Sequence, residues 1–387
     1  MSTKKSLLIT IDFPPQIGGA GYYISQVALH LPQKDLVILA PKMENSEIFD
    51  REQRYKIYRK NLISKLCFIW PKWLPLLYKS LKIVKKERIK TIQVGQVLPV
   101  GIVALFIKKL FRIPYIVYTN AMDVTMPAAR HGRKKRILKS VLKEAYKVIT
   151  ISEFTKGELI KLGVKKENIV IVRPCTDILE KIKNQKSKIK NVKEEIVKKY
   201  NLKNKRILLT VGRLVKRKGH DMVIRALPKA IEKVPNLVYV ITSTGPCLEE
   251  LRKLTQELNL EDKVVFTGTT SQETLIVLYE ISDVFIMTSR ELSSRDVEGF
   301  GIVYLEANAL EKPVIAGRSG GVEDAVQDGV NGLLVDPENT REIAETIVRL
   351  MTNQELANKL GVQGKERVLR EFNWKKEVTK IEKILST

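Results

Sequence analysis

The stretch Glu298-Gly-Phe-Gly-Ile-Val-Tyr-Leu-Glu306 decides how this chain is read, because it sets two carboxylates eight residues apart around a glycine-flanked turn that should open a helix. Such a turn suits a phosphate. Glycines let the backbone come close to an anion, and the free N–H groups and dipole of a helix start stabilise its charge. With a helix beginning near Phe300, Glu306 falls about a turn and a half further in, within reach of a polar group attached to that phosphate. Glu298 stays on the preceding loop and faces whatever lies beyond. A Gly-rich loop with two solvated glutamates would account for the same residues, so the flanking sequence has to decide.

Downstream, Ala307-Asn-Ala-Leu-Glu-Lys-Pro313-Val-Ile-Ala-Gly317 and the turns at Gly320-Gly321 and Asp328-Gly329 read as helix, strand, Gly-rich turn, helix, turn and short strand. Upstream, short apolar runs alternate with helical stretches throughout. Strands are expected at Leu7–Ile11, Leu36–Leu39, Thr91–Val94, Tyr115–Tyr118, Val148–Ile151 and Ile169–Val172. A second series follows at Ile207–Val211, Val238–Thr242, Val264–Thr267, Val284–Met287, Pro313–Ala316 and Gly332–Val335. Two α/β units of parallel sheet result from that order. The interval 178–200 is charged and lacks turn punctuation, which makes it a helical connector. The expected domains are 1–185 and 186–371, with a C-terminal helix over 372–387.

Strand Ile207–Val211 ends in Gly212-Arg213-Leu-Val-Lys-Arg-Lys218-Gly219, which puts cations at the carboxyl end of a parallel strand, where open α/β sheets bind ligands. Arg213 offers a planar fork and Lys218 a point charge, a suitable pair for a diphosphate. This motif, the Glu298–Glu306 turn and the block up to Pro337 together resemble the donor-binding half of a GT-B glycosyltransferase of glycosyltransferase family 4, the retaining group that includes the phosphatidylinositol mannosyltransferases. The resemblance runs on through Asp12–Gly21, Val148–Thr155, Arg173–Asp177 and Phe372-Asn-Trp374, so it covers nearly the whole chain.

The resemblance implies an α/β GT-B fold: two Rossmann-like parallel-sheet domains facing across a cleft, with the C-terminal helix crossing back to the first. It further implies transfer of a hexose from a nucleotide-diphosphate sugar to a hydroxyl, with retention of anomeric configuration. Arg213, Lys218 and the amides of Gly299, Phe300, Gly301 and Ile302 would stabilise the departing diphosphate. Glu306 would hold the ribose and Glu298 the donor sugar's hydroxyls. Gly245, Val265 and Phe266 would lie around the nucleotide base, and Gly18 and Gly19 would approach the donor phosphate from the first domain. Ser294-Arg-Asp-Val-Glu298 resembles the mannosyltransferase branch, which favours GDP-mannose over UDP-sugars. No metal is expected: Asp-x-Asp occurs nowhere in the chain, and two fixed cations can do the work of magnesium.

One departure stands out. Family members often carry His-Gly and then an acid, whereas this chain reads Tyr118-Thr-Asn120-Ala-Met-Asp123. Asn120 cannot titrate near neutral pH, yet it can donate and accept hydrogen bonds to a sugar hydroxyl, which makes it a catalytic-site candidate of a different kind. Asp123 and Asp12 are acceptor-side candidates.

Composition agrees. With 387 residues and 44% hydrophobic content, the chain can fill two cores of about 150–200 residues each. Three cysteines without CxxC spacing and three unpaired histidines argue for reduced thiols and against structural zinc. The N-terminus lacks a signal-peptide core, and no apolar run approaches the roughly 20 residues of a membrane span, so a cytoplasmic chain is expected. Residues 1–200 hold 41 Lys plus Arg against 16 Asp plus Glu, while residues 201–387 hold 27 of each. A one-sided field suggests that one domain faces a polyanion.

Leu138, Val141, Leu142 and Ala145 recur at helical spacing among lysines and arginines, and Leu66–Tyr78 interleaves tryptophans and leucines with lysines. These features fit peripheral docking on an anionic inner membrane face and a lipid-linked or membrane-surface glycan acceptor. They also fit solvated faces over a core. Nucleic acid is disfavoured, because no recognition motif accompanies the charge. The competing functions are a UDP-sugar transferase of polysaccharide or glycolipid synthesis, a sugar-nucleotide epimerase, and a non-catalytic protein that binds anionic lipid or nucleic acid.

Overall fold

A computed structural model describes residues 4–15, 18–64, 71–129 and 132–386. The chain divides into two compact units, Met1–Pro174 with Trp374–Thr387, and Cys175–Asn373. The first is built on seven parallel strands: β1 Ser6–Ile9, β2 Leu36–Pro41, β3 Lys56–Lys60, β4 Thr91–Val94, β5 Tyr115–Thr119, β6 Lys147–Thr150 and β7 Ile169–Ile171. Their order is β3-β2-β1-β4-β5-β6-β7. Ser6 of β1 registers with Leu36 on one side and Thr91 on the other, so the winding reverses between β1 and β4. Leu7, Leu8 and Ile9 are wholly buried, as expected for a central parallel strand covered by helices on both faces.

The second unit has six parallel strands: β8 Arg206–Val211, β9 Leu237–Thr242, β10 Val264–Gly268, β11 Val284–Met287, β12 Val314–Gly317 and β13 Leu333–Val335. Here the order is β10-β9-β8-β11-β12-β13, and the reversal lies between β8 and β11. All twelve strands expected from the sequence are present, and the two units are the Rossmann-like pair that the fold class requires.

The boundary falls at 174/175 instead of 185/186. The connector does form a helix, Ile178–Lys199, but it buries Ile178, Ile189 and Ile196 and packs on the helix Gln272–Ile281, which draws it wholly into the second unit. The expected segment 372–387 likewise joins the first unit only from Trp374, as the helix Trp374–Ser386. Within that unit Glu377 Oε2 accepts from the Arg173 amide at 2.8 Å, and Lys380 Nζ donates to the Ile171 carbonyl at 3.1 Å. Counted by these units the charge asymmetry persists: 37 Lys plus Arg against 14 Asp plus Glu in the first, 31 against 29 in the second.

The basic stretch expected to be amphipathic forms the helix Arg133–Glu144, with Leu138, Val141 and Leu142 buried. Of the aromatic stretch, Leu66–Trp70 lies outside the described residues. Trp73 packs on the core and meets Phe106 at 5.8 Å, while Tyr78 is exposed. No helix among the described residues is long and apolar enough to cross a membrane.

β3 was not expected, because Lys56, Arg59 and Lys60 dilute its pattern. An edge strand tolerates them, and lysines there discourage further pairing. It is fastened by Glu87, whose carboxylate accepts from Lys5 Nζ at 2.8 Å, Lys56 Nζ at 2.7 Å and the Tyr58 hydroxyl at 2.5 Å. Lys5 leads, with Lys56 and Tyr58, in holding this carboxyl down to about 2, well below its ordinary 4.5. A depressed acid contributes stability above its unfolded pKa and loses it as pH falls through the folded one, here between pH 4.5 and about 2. Glu87→Gln is therefore expected to destabilise at neutral pH by roughly 1–2 kcal/mol and to flatten the acid limb of a melting-temperature profile below pH 4.5. An unchanged acid limb would refute the assignment.

Candidate active site

In the second unit the expected donor residues gather at the carboxyl ends of β8 and β11, on either side of the winding reversal, where open sheets of this kind bind ligands. From β8 the chain runs through Gly212 and Arg213 into a single turn at Lys216–Lys218 and then into the helix His220–Lys233. Arg213 is exposed and makes no ion pair among the described residues. Lys218 is buried, and its Nζ lies 2.6 Å from Glu298 Oε2. Gly219, with φ +74°, makes this possible: an added Cβ would sit 2.1 Å from the Thr288 carbonyl oxygen, so only glycine lets the turn lie against the end of β11.

Glu298 is likewise buried. Burial pushes its carboxyl up, but the Lys218 and Arg217 charges outweigh it and hold the group below its ordinary range. The sequence reading gave Lys218 to a diphosphate and Glu298 to sugar hydroxyls. In the structure they face each other, so each charge neutralises the other.

Arg217, which the sequence reading passed over, stands in the same cluster. Its Nε is 3.5 Å from Asp296 Oδ1 and 3.8 Å from Glu298 Oε2, and neither the Arg217 Nε nor the Asp296 Oδ1 has a hydrogen bond of good geometry among the described residues. Opposed charges held that far apart in a buried place leave room for a polar group to bridge them. His220 Nε2, at the start of its helix, and Ser319 Oγ, on a loop at the same edge, are also buried without a hydrogen bond among the described residues. The signal for Arg217 was weak, since in Lys216-Arg-Lys218 the spacing alone does not tell which side chains turn inward.

The helix carrying Glu306 begins at Ile302, two residues later than expected, because Gly301 takes φ +90° and caps it. Glu306 is half-buried and accepts from the Tyr279 hydroxyl at 2.8 Å through Oε2. Burial raises its carboxyl, with Tyr279 and then Lys181 pulling the other way. The expected donor contact from Phe300 can come only from its backbone, since its side chain is 1% exposed and packs edge-on against Phe372 at 5.9 Å. Gly299 belongs to the same turn. Gly245 lies in the turn after β9, packed against the Leu214 backbone. Val265 and Phe266 stand half-buried on the edge strand β10, with Phe266 packed against the core.

The remaining candidates belong to the first unit, at the carboxyl edge of its sheet. Asp12 follows β1, and its Oδ1 is buried without a hydrogen bond among the described residues. Burial raises its carboxyl, only partly offset by the Gly21 amide. Gly18 precedes, and Gly19 begins, the helix Gly19–His30. After β5, the Asn120 amide donates to Asp123 Oδ1 at 2.8 Å, so Asp123 caps the helix Ala121–Ala129 from its first turn. Burial pushes the Asp123 carboxyl up to about 8 against the pull of the Asn120 and Val97 amides.

Two parallel sheets with their reversals so arranged, and this set of residues on the second, define a GT-B glycosyltransferase. The family described as Glycosyltransferase Family 4 matches residues 17–178 and that described as Glycosyl transferases group 1 matches 192–367, and the chain belongs to the family 4 glycosyltransferases. Among its relatives is the GDP-mannose-dependent alpha-(1-6)-phosphatidylinositol monomannoside mannosyltransferase of Mycolicibacterium smegmatis, 28% identical over 98% of both chains. The corresponding enzyme of Corynebacterium glutamicum, described as acting on the monoacylated phosphatidylinositol monomannoside, is 25% identical over 96% of this chain and 95% of its own. Anabaena HepE, solved in complex with UDP and glucose, superposes with a TM-score of 0.81 over 99% of this chain and all of its own, at 19% identity.

Proposed function

We propose that this glycosyltransferase moves a hexose, mannose by preference, from GDP-mannose to a hydroxyl of a lipid-linked or membrane-surface glycan, with retention and without a required metal. The observation that carries the reading is the convergence on β8 and β11 of an exposed cation, Arg213, a buried Lys218–Glu298 pair, an open helix start at Gly301 and Glu306. The near full-length mannosyltransferase relatives support GDP-mannose over UDP-sugars.

The bond between sugar C1 and the diphosphate oxygen breaks, the acceptor oxygen bonds to C1, and the hydroxyl proton leaves with the departing phosphate. Arg213, Lys218 and the amides of the turn stabilise the charge that gathers on that phosphate. Glu298, released from Lys218 as the phosphate takes the lysine, turns to sugar hydroxyls. Glu306 holds the ribose. Asn120 offers hydrogen bonds where an imidazole often stands, and Asp12 and Asp123 face the acceptor.

Attachment to the inner face of a membrane is part of the proposal. It rests on the excess charge of the first unit, and on Tyr78, Phe106, Leu110 and Phe111, which are exposed on two mutually packed helices among lysines. The test is a thermal-shift panel of GDP, UDP, ADP and their sugar conjugates, with and without magnesium, alongside flotation on anionic and neutral vesicles. A metal-independent rise with GDP and flotation on anionic vesicles alone are expected. A rise with UDP only would replace the donor. No rise with any nucleotide would overturn the reading.

A further inference from the structure

Four charged side chains of the second unit meet beside the donor turn, and only one pair among them is closed. Lys218 Nζ stands 2.6 Å from Glu298 Oε2, and the Arg217 Nε approaches the same oxygen at 3.8 Å. Asp296 Oδ1 is 3.5 Å from that Nε, and neither of these two atoms has a hydrogen bond of good geometry among the described residues. None of the four side chains is more than 20% exposed. A buried donor held just short of its acceptors is costly, which asks for a state in which the contact is made.

The backbones that carry these side chains are fixed. The Arg217 carbonyl accepts from the Arg290 amide at 2.8 Å, and Thr288 Oγ1 donates to the Gly219 carbonyl at 3.0 Å, which ties the turn at Lys216–Lys218 to the segment leaving β11. The Asp296 carbonyl accepts from the Leu292 amide at 3.0 Å, and the Glu298 carbonyl from the Gly321 amide at 2.9 Å. Arg290 Nη2 donates to Asp221 Oδ2 at 2.9 Å, a neighbouring pair that is already closed. Any exchange of partners in the cluster is therefore a side-chain rotation, and bringing the Arg217 Nε from 3.8 Å to hydrogen-bond distance takes about 1 Å.

We propose that Arg217 is a positioning residue for Glu298: it takes over Oε2 when a diphosphate draws Lys218 away, and so aims the carboxylate at the donor sugar. This rests on the reading of Lys218 as a partner of the diphosphate and of Glu298 as a partner of the sugar. As it stands the cluster is neutral, with two cations against two carboxylates. Drawing one cation to a phosphate leaves the buried Glu298 short of a partner, and such a carboxylate is driven to protonate or to turn away. Arg217 and the hydroxyls of the sugar together replace what the lysine gives up. A guanidinium suits the task, because its fork of donors can keep Asp296 on one edge while it serves Glu298 on another. Arg217 needs no contact with the ligand.

Titration calorimetry on the full chain, with GDP, GDP-mannose, UDP and UDP-glucose as probes, tests this through the ratio of sugar-nucleotide to diphosphate affinity. In Arg217→Gln the diphosphate should bind as it does to the unaltered protein, while the ratio falls about tenfold. Arg217→Lys keeps the charge without the fork and should lose less, about threefold. Glu298→Gln lowers the ratio by itself, and adding Arg217→Gln to it should take away nothing more, since no charge is left to hold. That last comparison stands even if Arg217→Gln alone does not fold, because the double variant keeps Lys218 against Asp296 and the cluster neutral.

An unchanged ratio in Arg217→Gln overturns the proposal, as does a lysine variant no better than the glutamine one. A further fall in the double variant overturns it by showing that Arg217 touches the sugar itself, and weakened diphosphate binding in Arg217→Gln by showing that it serves the phosphate or the fold. If the unaltered protein binds neither diphosphate, the donor reading fails and takes this proposal with it.

Discussion

Lys218→Ala is expected to slow transfer by about a hundred- to a thousandfold, the cost of about 2.7–4 kcal/mol for removing one preorganised charge from a reaction whose leaving group gathers negative charge. Arg213→Ala should slow it by a similar factor. The two differ in what else they do. Arg213 is exposed and unpaired among the described residues, so its removal should leave the melting temperature where it was. Lys218 neutralises a buried carboxylate at 2.6 Å, and its loss leaves Glu298 with the Arg217 charge at 3.8 Å and the Phe300 amide.

Burial then dominates, and the Glu298 carboxyl rises above its ordinary 4.5. A raised acid is least costly when protonated, and the parent's depressed Glu298 loses its own contribution as pH falls below 4.5, so the stability deficit of Lys218→Ala should be smallest at the acid end, below pH 4.5, and grow as pH rises through the new pKa. Initial rates and melting temperatures across pH check both halves. If Lys218→Ala melts like the parent protein at every pH, the ion pair is not what holds Glu298 in place.

The fold was legible because parallel strands buried on both faces write themselves as short apolar runs, and twelve of them stood out. β3 did not, since an edge strand packs one face only and its register partner β2 supplies the apolar surface. Helix Ile178–Lys199 was legible as a helix but not in its allegiance. Three isoleucines at wide spacing do not say which neighbour they will meet. In the site, residue types and spacing pointed to Arg213, Lys218, Glu298 and Glu306. What could not be read was their mutual state.

Lys218 and Glu298 are 80 residues apart in sequence, and only the adjacency of β8 and β11 brings them together. Phe300 was assigned to the donor because it lies in the turn. Its side chain goes inward to Phe372, a contact no local pattern announces. Arg217 and Asp296 were hidden for the opposite reason: they sit in runs of charge where solvent exposure is the usual outcome. The inward side chains are those that meet across the sheet's winding reversal.

The glycines of the site were read from sequence for a single reason, close approach to phosphate, and the fold gives two of them opposite burdens. Gly301 has φ +90°, which costs an L-residue roughly 1–2 kcal/mol, and an added Cβ would stand 2.4 Å and 2.6 Å from atoms of the Tyr304 ring. Tyr304 cannot give way: it is wholly buried, its hydroxyl donates to the Met287 carbonyl at 2.8 Å, and Phe285 stands edge-on to it at 5.8 Å. Gly301→Ala is therefore expected to lose about 3 kcal/mol or more of stability, and nucleotide-diphosphate binding with it, as strain and overpacking both push the helix start out of place.

Gly19 has nothing within 4 Å of the same added atom and already stands in a helix, where alanine is the better former. Gly19→Ala should thus melt no lower than the parent protein. Any loss of transfer in that variant then reports a ligand that needs the space, since the fold does not. A Gly19→Ala protein with full activity would show that no ligand approaches there, and a Gly301→Ala protein that melts normally would show that the turn is softer than its packing implies.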